Sequence, residues 1–188
     1  GHVAAVRACV ALLRGDRSGT AELSREALEL LPAEDTLTRA WAAMVLGLNL
    51  HQQSRVQAAD QALSEALTTS RAKGDSHVAV LVLCNIAAVQ GERGELRKAE
   101  ASLREALHVA DAYAARAGRE LPVGAYAHAT LAAVLLEWND LEAAEGHLRD
   151  GMRLSKRWGE PLRLTGVHLN LAQLRQARGD AHGALEAL

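Results

Sequence analysis

Phenylalanine is absent from the chain, and aromatic residues of all kinds make up 3% of it. Strands favour aromatic and β-branched side chains, so this scarcity argues against a sheet, while abundant alanine suits closely packed helices. There are two cysteines, Cys9 and Cys84. They lie far apart and form no CxxC, so they read as reduced thiols of a cytoplasmic protein rather than a disulfide framework. No apolar run nears the ~20 residues that span a bilayer, and no signal peptide precedes the first periodic segment. Neither sign of charge dominates: the net charge is −2, so nothing draws the chain toward nucleic acid or an anionic membrane. No GxxxxGK[ST], GxSxG, HExxH or EF-hand loop is present. Neither an enzymatic activity nor a bound cofactor or metal is therefore expected.

What the chain does have is a phrase it repeats. Residues 15–28 read GDRSGTAELSREAL, 54–67 SRVQAADQALSEAL, 94–107 GELRKAEASLREAL and 139–152 NDLEAAEGHLRDGM, and a further copy begins at 179 as GDAHGALEAL. The turn residues Gly15, Ser54, Gly94, Asn139 and Gly179 are spaced by 39, 40, 45 and 40 positions. Periods of this size mark helical solenoids. Seven positions before each turn stands a small residue: Ala8, Gly47, Ala87, Ala132, Ala172. Five after it stand Thr20, Ala59, Ala99, Ala144 and Ala184. Nine after it stand Ser24, Leu63, Leu103, Leu148 and Leu188, and twelve after it Ala27, Ala66, Ala106 and Gly151. These offsets share one helical face, so the small residues mark where two antiparallel helices cross closely and the leucines fill the remaining space.

The residue following each turn is acidic in four of five copies (Asp16, Glu95, Asp140, Asp180, with Arg55 the exception), where a carboxylate would cap the next helix. Pro32, Pro122 and Pro161 fall between repeats, and Lys73-Gly74-Asp75-Ser76 punctuates the remaining junction. The pattern predicts helices at about 2–14, 19–31, 36–53, 56–73, 76–92, 95–117, 123–138, 141–158, 162–178 and 181–188, with extra helix and a loop across 111–122. The fold class expected is all-α: a right-handed superhelical α-solenoid of about five helix-turn-helix repeats of about 40 residues, the last truncated. Residues 1–188 are expected to form one repeat domain, a piece of a longer protein.

Residues 27–32, ALELLP, with Gly15-Asp16 and the paired small positions, resemble the tetratricopeptide repeat (TPR) motif. Most of that family's first-helix aromatics are replaced by Leu, Ala, Gln or Arg, and the period exceeds its usual ~34 residues. Residues 131–159, LAAVLLEWNDLEAAEGHLRDGMRLSKRWG, and 169–180, LNLAQLRQARGD, are similar to the central domain of MalT-like, LuxR-type bacterial transcription activators. That resemblance implies a cytoplasmic, effector-sensing domain that binds a protein, peptide or small-molecule effector and itself contacts no DNA. Self-association is compatible with it. The alternative is a bacterial TPR adaptor or scaffold outside transcription.

In such arrays the first helices line a concave groove. The positions thirteen, ten, six and three before the turn are placed there: Trp41, Met44 and Leu48 in the second repeat, Leu81 and Cys84 in the third, Tyr126, Ala129 and Leu136 in the fourth, Leu169 and Gln173 in the fifth. This surface is apolar and nearly free of charge, which suits an amphipathic helix or an apolar small molecule and not an acidic peptide tail. The same residues would equally serve if the array curls tightly and they pack on one another. His128 and His168 share one repeat position, eleven before the turn. They read either as a metal- or pH-sensitive pair or as two half-buried histidines; His51, His77, His108, His147 and His182 share no spacing and read as solvated.

Overall fold

The computed structural model describes the backbone of every residue except Lys73, Gly159, Glu160 and Leu188, and the side chains outside 73, 157–165 and 188. Among the described residues there are ten helices and no strand: α1 (His2–Leu13), α2 (Arg17–Leu30), α3 (Thr36–Gln52), α4 (Val56–Ala72), α5 (Ser76–Glu92), α6 (Leu96–Ala117), α7 (Gly124–Glu137), α8 (Leu141–Trp158), α9 (Pro161–Ala177) and α10 (Ala181–Glu186). These lie within a residue or two of the spans expected from periodicity. The 45-residue spacing is accounted for by α6, which runs for 22 residues before Gly118 ends it in a left-handed conformation.

Each turn is built the same way. Gly15, Ser54, Gly94, Asn139 and Gly179 all have positive φ, Ser54 and Asn139 included, at 59° and 57°. In every case the next residue's N–H reaches back five positions: Asp16 to Ala11 O, Arg55 to Leu50 O, Glu95 to Gln90 O, Asp140 to Leu135 O and Asp180 to Arg175 O. The turn residue's own N–H reaches back three, as from Gly15 to Leu12 O. This bonding closes the last carbonyls of the first helix, and it is why the left-handed residue recurs at each repeat. Gly74 and Asp75 repeat the pattern on Arg71 O and Ser70 O at the α4–α5 junction.

Three of the five second helices, α2, α8 and α10, start on aspartate caps, and α4 follows Arg55 instead. Asp16 accepts from Gly19 N–H (3.0 Å), Asp140 from Ala143 N–H (3.2 Å) and Asp180 from Gly183 N–H (2.8 Å). Asp35 and Asp75 do the same for α3 and α5. Glu95 departs from the expectation: its longer side chain makes no cap bond and instead pairs with Lys98 Nζ at 2.9 Å.

The chain divides into two compact units, Gly1–Val89 and Gln90–Leu188. In the first, α1 packs on α2 and α3, and α3 on α4. Its core joins Ala40, Ala43 and Met44 of α3, Leu63 and Ala66 of α4, and Val78, Val82 and Val89 of α5. In the second unit α7 packs on α6, α8 and α9, and α9 on α8 and α10.

The expected crossing residues are buried in both units. Ala8, Gly47, Ala87, Ala132 and Ala172 are buried on the first helices, as are Thr20, Ala59, Ala99 and Ala144 on the second; Ala184 is half-buried. Leu188 lies outside the described residues. At Gly47 the closeness is direct: a Cβ there would stand 2.7 Å from Leu63 Cγ and 3.3 Å from Ala59 O.

Candidate interaction site

The groove residues expected from the helical period fall into three groups. Met44, Cys84 and Ala129, all ten before a turn, are buried, with 4%, 0% and 4% exposure. Trp41, Leu48 and Leu81 are half-buried and lean on the core cluster of the first unit, and Tyr126 and Leu136 are half-buried in the second. Leu169 and Gln173 are exposed. Trp41 and Tyr126, each thirteen before its turn, therefore stand at the edge of the packed core with part of their surface in solvent.

Three asparagines that the sequence reading passed over join neighbouring repeats. Asn85 Nδ2 donates to Leu81 O at 2.8 Å and lies 3.4 Å from Met44 Sδ. Asn170 Nδ2 donates to Ala129 O at 2.8 Å. Both asparagines lie nine before their turn, and both partners lie ten before the preceding one. Buried Asn49, five before its turn, donates to Arg17 O at 3.0 Å and accepts from Gln53 Nε2 at 2.7 Å. A polar residue recurring at a single repeat offset was the signal for the first two, since a half-buried amide needs partners.

Two arginines brace α2 and α10. Arg39 donates from Nη1 to Leu28 O and Leu31 O at 2.7 and 2.8 Å, closing the end of α2. Arg175 Nη1 donates to Gly183 O at 2.6 Å. On the surface of the second unit Arg178 pairs with Glu145 at 2.8 Å, and Arg153 with Glu120 at 2.8 Å.

His128 and His168 are both half-buried, the second of the two readings, and they do not pair with each other. His128 meets His147 of α8, the two Nδ1 atoms 3.0 Å apart with ring centroids at 5.2 Å. His168 instead has its Nδ1 3.1 Å from Ala187 O. One of the paired rings must donate while the other accepts, so the two cannot both be protonated while the contact holds. Burial, then the His147 charge, holds His128 down at about 4, although Asp150 and Asp111 oppose the shift. Burial, then Arg104, lowers His147 as well. His147, read as solvated from the sequence, is half-buried because α8 lays it against α7. Among the described residues no cluster of three or more metal-ligating side chains forms, and no helix is long and apolar enough to cross a membrane. Among the described residues Cys9 and Cys84 form no disulfide.

An open cleft of about 440 Å³ lies between α9 and α10, lined among others by Leu169, Ala172, Gln173, Gln176, Ala181 and Leu185. Its lining is largely apolar, with two side-chain amides from the glutamines.

The family model described as MalT-like TPR region matches residues 1–188. Solved structures share the fold. BtubC (BKLC) from P. vanneervenii superposes with a TM-score of 0.71 at 20% identity, covering 96% of this chain and 74% of that one. A Podosopora anserina putative kinesin light chain with nearly identical TPR-like repeats gives 0.66 at 17% identity, covering 98% and 90%. No curated protein matches the chain.

Proposed function

The chain belongs to the MalT-like TPR family, and from that premise we propose that it is the effector- or partner-sensing domain of a LuxR-type transcription activator. TPR-like repeat folds are generally non-catalytic scaffolds for protein interaction. The observation that carries the reading is the family match along the whole chain. Each unit supports the reading by itself: the first offers the half-buried apolar first-helix positions Trp41, Leu48 and Leu81 above buried Met44 and Cys84, and the second offers Tyr126 and Leu136 beside buried Ala129.

A ligand of this kind acts by preferring one arrangement of the array over another, and it shifts the inactive–active balance only by its difference in affinity for the two. An amphipathic helix or an apolar effector suits either surface best, because each unit carries one amphipathic aromatic, Trp41 or Tyr126, that offers apolar area with a polar edge. The setting is cytoplasmic, and the segment makes no contact with DNA, membrane or cofactor of its own.

The parent sequence and a binding screen test the proposal together. A phosphate-binding loop upstream and a helix-turn-helix downstream are expected; their absence from the full-length sequence overturns the regulator assignment and leaves an adaptor outside transcription. A thermal-shift screen of the protein against metabolites and candidate partner peptides should give a hit that Trp41→Ala and Tyr126→Ala weaken at unchanged helix content. Equal affinity in both variants would mean that these faces serve packing alone.

A further inference from the structure

Antiparallel pairing of the two helices in a repeat brings the position eleven before the turn against the one eight after it. The fourth and fifth repeats both show the contact: His128 Nδ1 lies 3.0 Å from His147 Nδ1, and His168 Nδ1 lies 3.1 Å from Ala187 O. In the first three repeats these places hold Ala4 and Leu23, Ala43 and Ala62, and Leu83 and Ser102. Only the fourth repeat carries an imidazole on both sides. Gly151, four residues after His147, keeps α8 near α7 there, since an added Cβ would stand 3.4 Å from His128 Cβ.

The two rings meet head-on. Their centroids are 5.2 Å apart, close to the nitrogen separation plus the distance from nitrogen to ring centre on each side. Each Nδ1 therefore points at the other, and a single proton lies between them. A cation that takes two collinear nitrogen donors fits where that proton stands. Metal–imidazole bonds are ~2.0 Å long, so the nitrogens must part by ~1 Å. That shift falls to His147, which is half-buried and partly in solvent.

Coordination chemistry narrows the ion. Among the described residues no third His, Cys, Asp or Glu joins the pair, so four-coordinate zinc and oxygen-seeking calcium and magnesium lack their ligands. Copper(I) is satisfied by two collinear imidazoles. Its single charge also costs less to bury than that of a divalent ion. Asp150 of α8 and Asp111 of α6 act to offset that charge, against Arg153 of α8 and Arg104 of α6. Burial lowers the pKa of both histidines, so protons do not compete for the nitrogens near neutrality.

We propose that the α7–α8 hairpin binds one copper(I) ion between His128 Nδ1 and His147 Nδ1, in linear two-coordinate geometry. As the ion enters, the donor ring passes to its Nε2–H tautomer, so both rings remain neutral and no proton is released. The site lies wholly in the second unit and stands independently of the effector reading.

Anaerobic titration with copper(I) against a chromophoric cuprous chelator tests it, on the Cys9→Ser/Cys84→Ala protein so that no thiol competes. One equivalent should be taken up. His128→Leu and His147→Leu, at unchanged helix content by circular dichroism, should each lose it, while His108→Ala, at an exposed histidine, should keep it. Zinc(II) should bind far more weakly. Should the cysteine-free protein or a histidine variant lose helix content, X-ray absorption on the unsubstituted protein at one equivalent decides, with two nitrogens and no sulfur expected. No copper(I) uptake, uptake that survives either histidine substitution, zinc(II) bound as tightly, or a sulfur ligand would each overturn the proposal.

Discussion

The second and fourth repeats both bring two helices close, yet they remove a side chain at different places. In the second, glycine sits on the first helix at Gly47, where an added Cβ would run into buried Leu63 at 2.7 Å. In the fourth, the matching first-helix site is Ala132, fully buried, and glycine sits on the second helix at Gly151. There a Cβ would meet Ala125 O and His128 Cβ at 3.4 Å and Val167 Cγ2 at 3.5 Å, which is ordinary contact. Two sites that a pattern search records alike as small thus differ in tolerance. One is small because nothing more fits; the other has room for a methyl group.

Overfilling a crossing should break the comparison most severely. Ala132→Leu should cost about 1–3 kcal/mol, read as a lower urea midpoint at an unchanged slope, because its surroundings are packed on every side. A milder and more discriminating pair is Gly47→Ala against Gly151→Ala. Both gain ~0.5–1 kcal/mol from placing alanine in a helix. At Gly47 the clash with Leu63, at the ~1–3 kcal/mol typical of overpacking, outweighs that gain and the variant should be destabilised. At Gly151 the gain should survive and raise the midpoint. Variants that shift in the same direction would erase the distinction.

The smallest effect near neutrality, and one confined to the second unit, belongs to His128. Its folded-state pKa of about 4 lies below the ordinary 6.5, so the unfolded chain takes up the proton first as the solution is acidified. The stability that the neutral pair contributes is complete above about pH 6.5 and is lost progressively toward pH 4; the lowered His147 acts in the same sense. His128→Leu should therefore flatten the urea-midpoint profile between those limits. A variant profile as steep as the parent's would remove the pair from the account.

The fold was legible because its determinants recur. A left-handed turn residue, a following aspartate and small residues at fixed offsets appear in most copies, and each repetition cancels the ambiguity of a single helix. The surfaces were less legible. Helical period places Met44, Cys84 and Ala129 on one face, but it does not say whether the next repeat covers that face; Met44 lies in the α3–α5 core, and Asn170 bonds to Ala129 O. The His128–His147 pair was hidden for the opposite reason. It joins two unrelated offsets in a single repeat, so no recurrence announces it. Glu95 shows a third limit, since its charge fitted the cap position and its length did not.

The backward-reaching N–H bonds at every hairpin have a kinetic corollary. Each closes within six residues, and packing within each unit is mainly between elements near in sequence, so little chain must be searched before a hairpin begins to hold itself. Arrays of this type melt as a row of coupled modules rather than as one block. Native-state hydrogen exchange should accordingly show a gradient, with amides of six-residue α10 opening far more readily than those deep in α7.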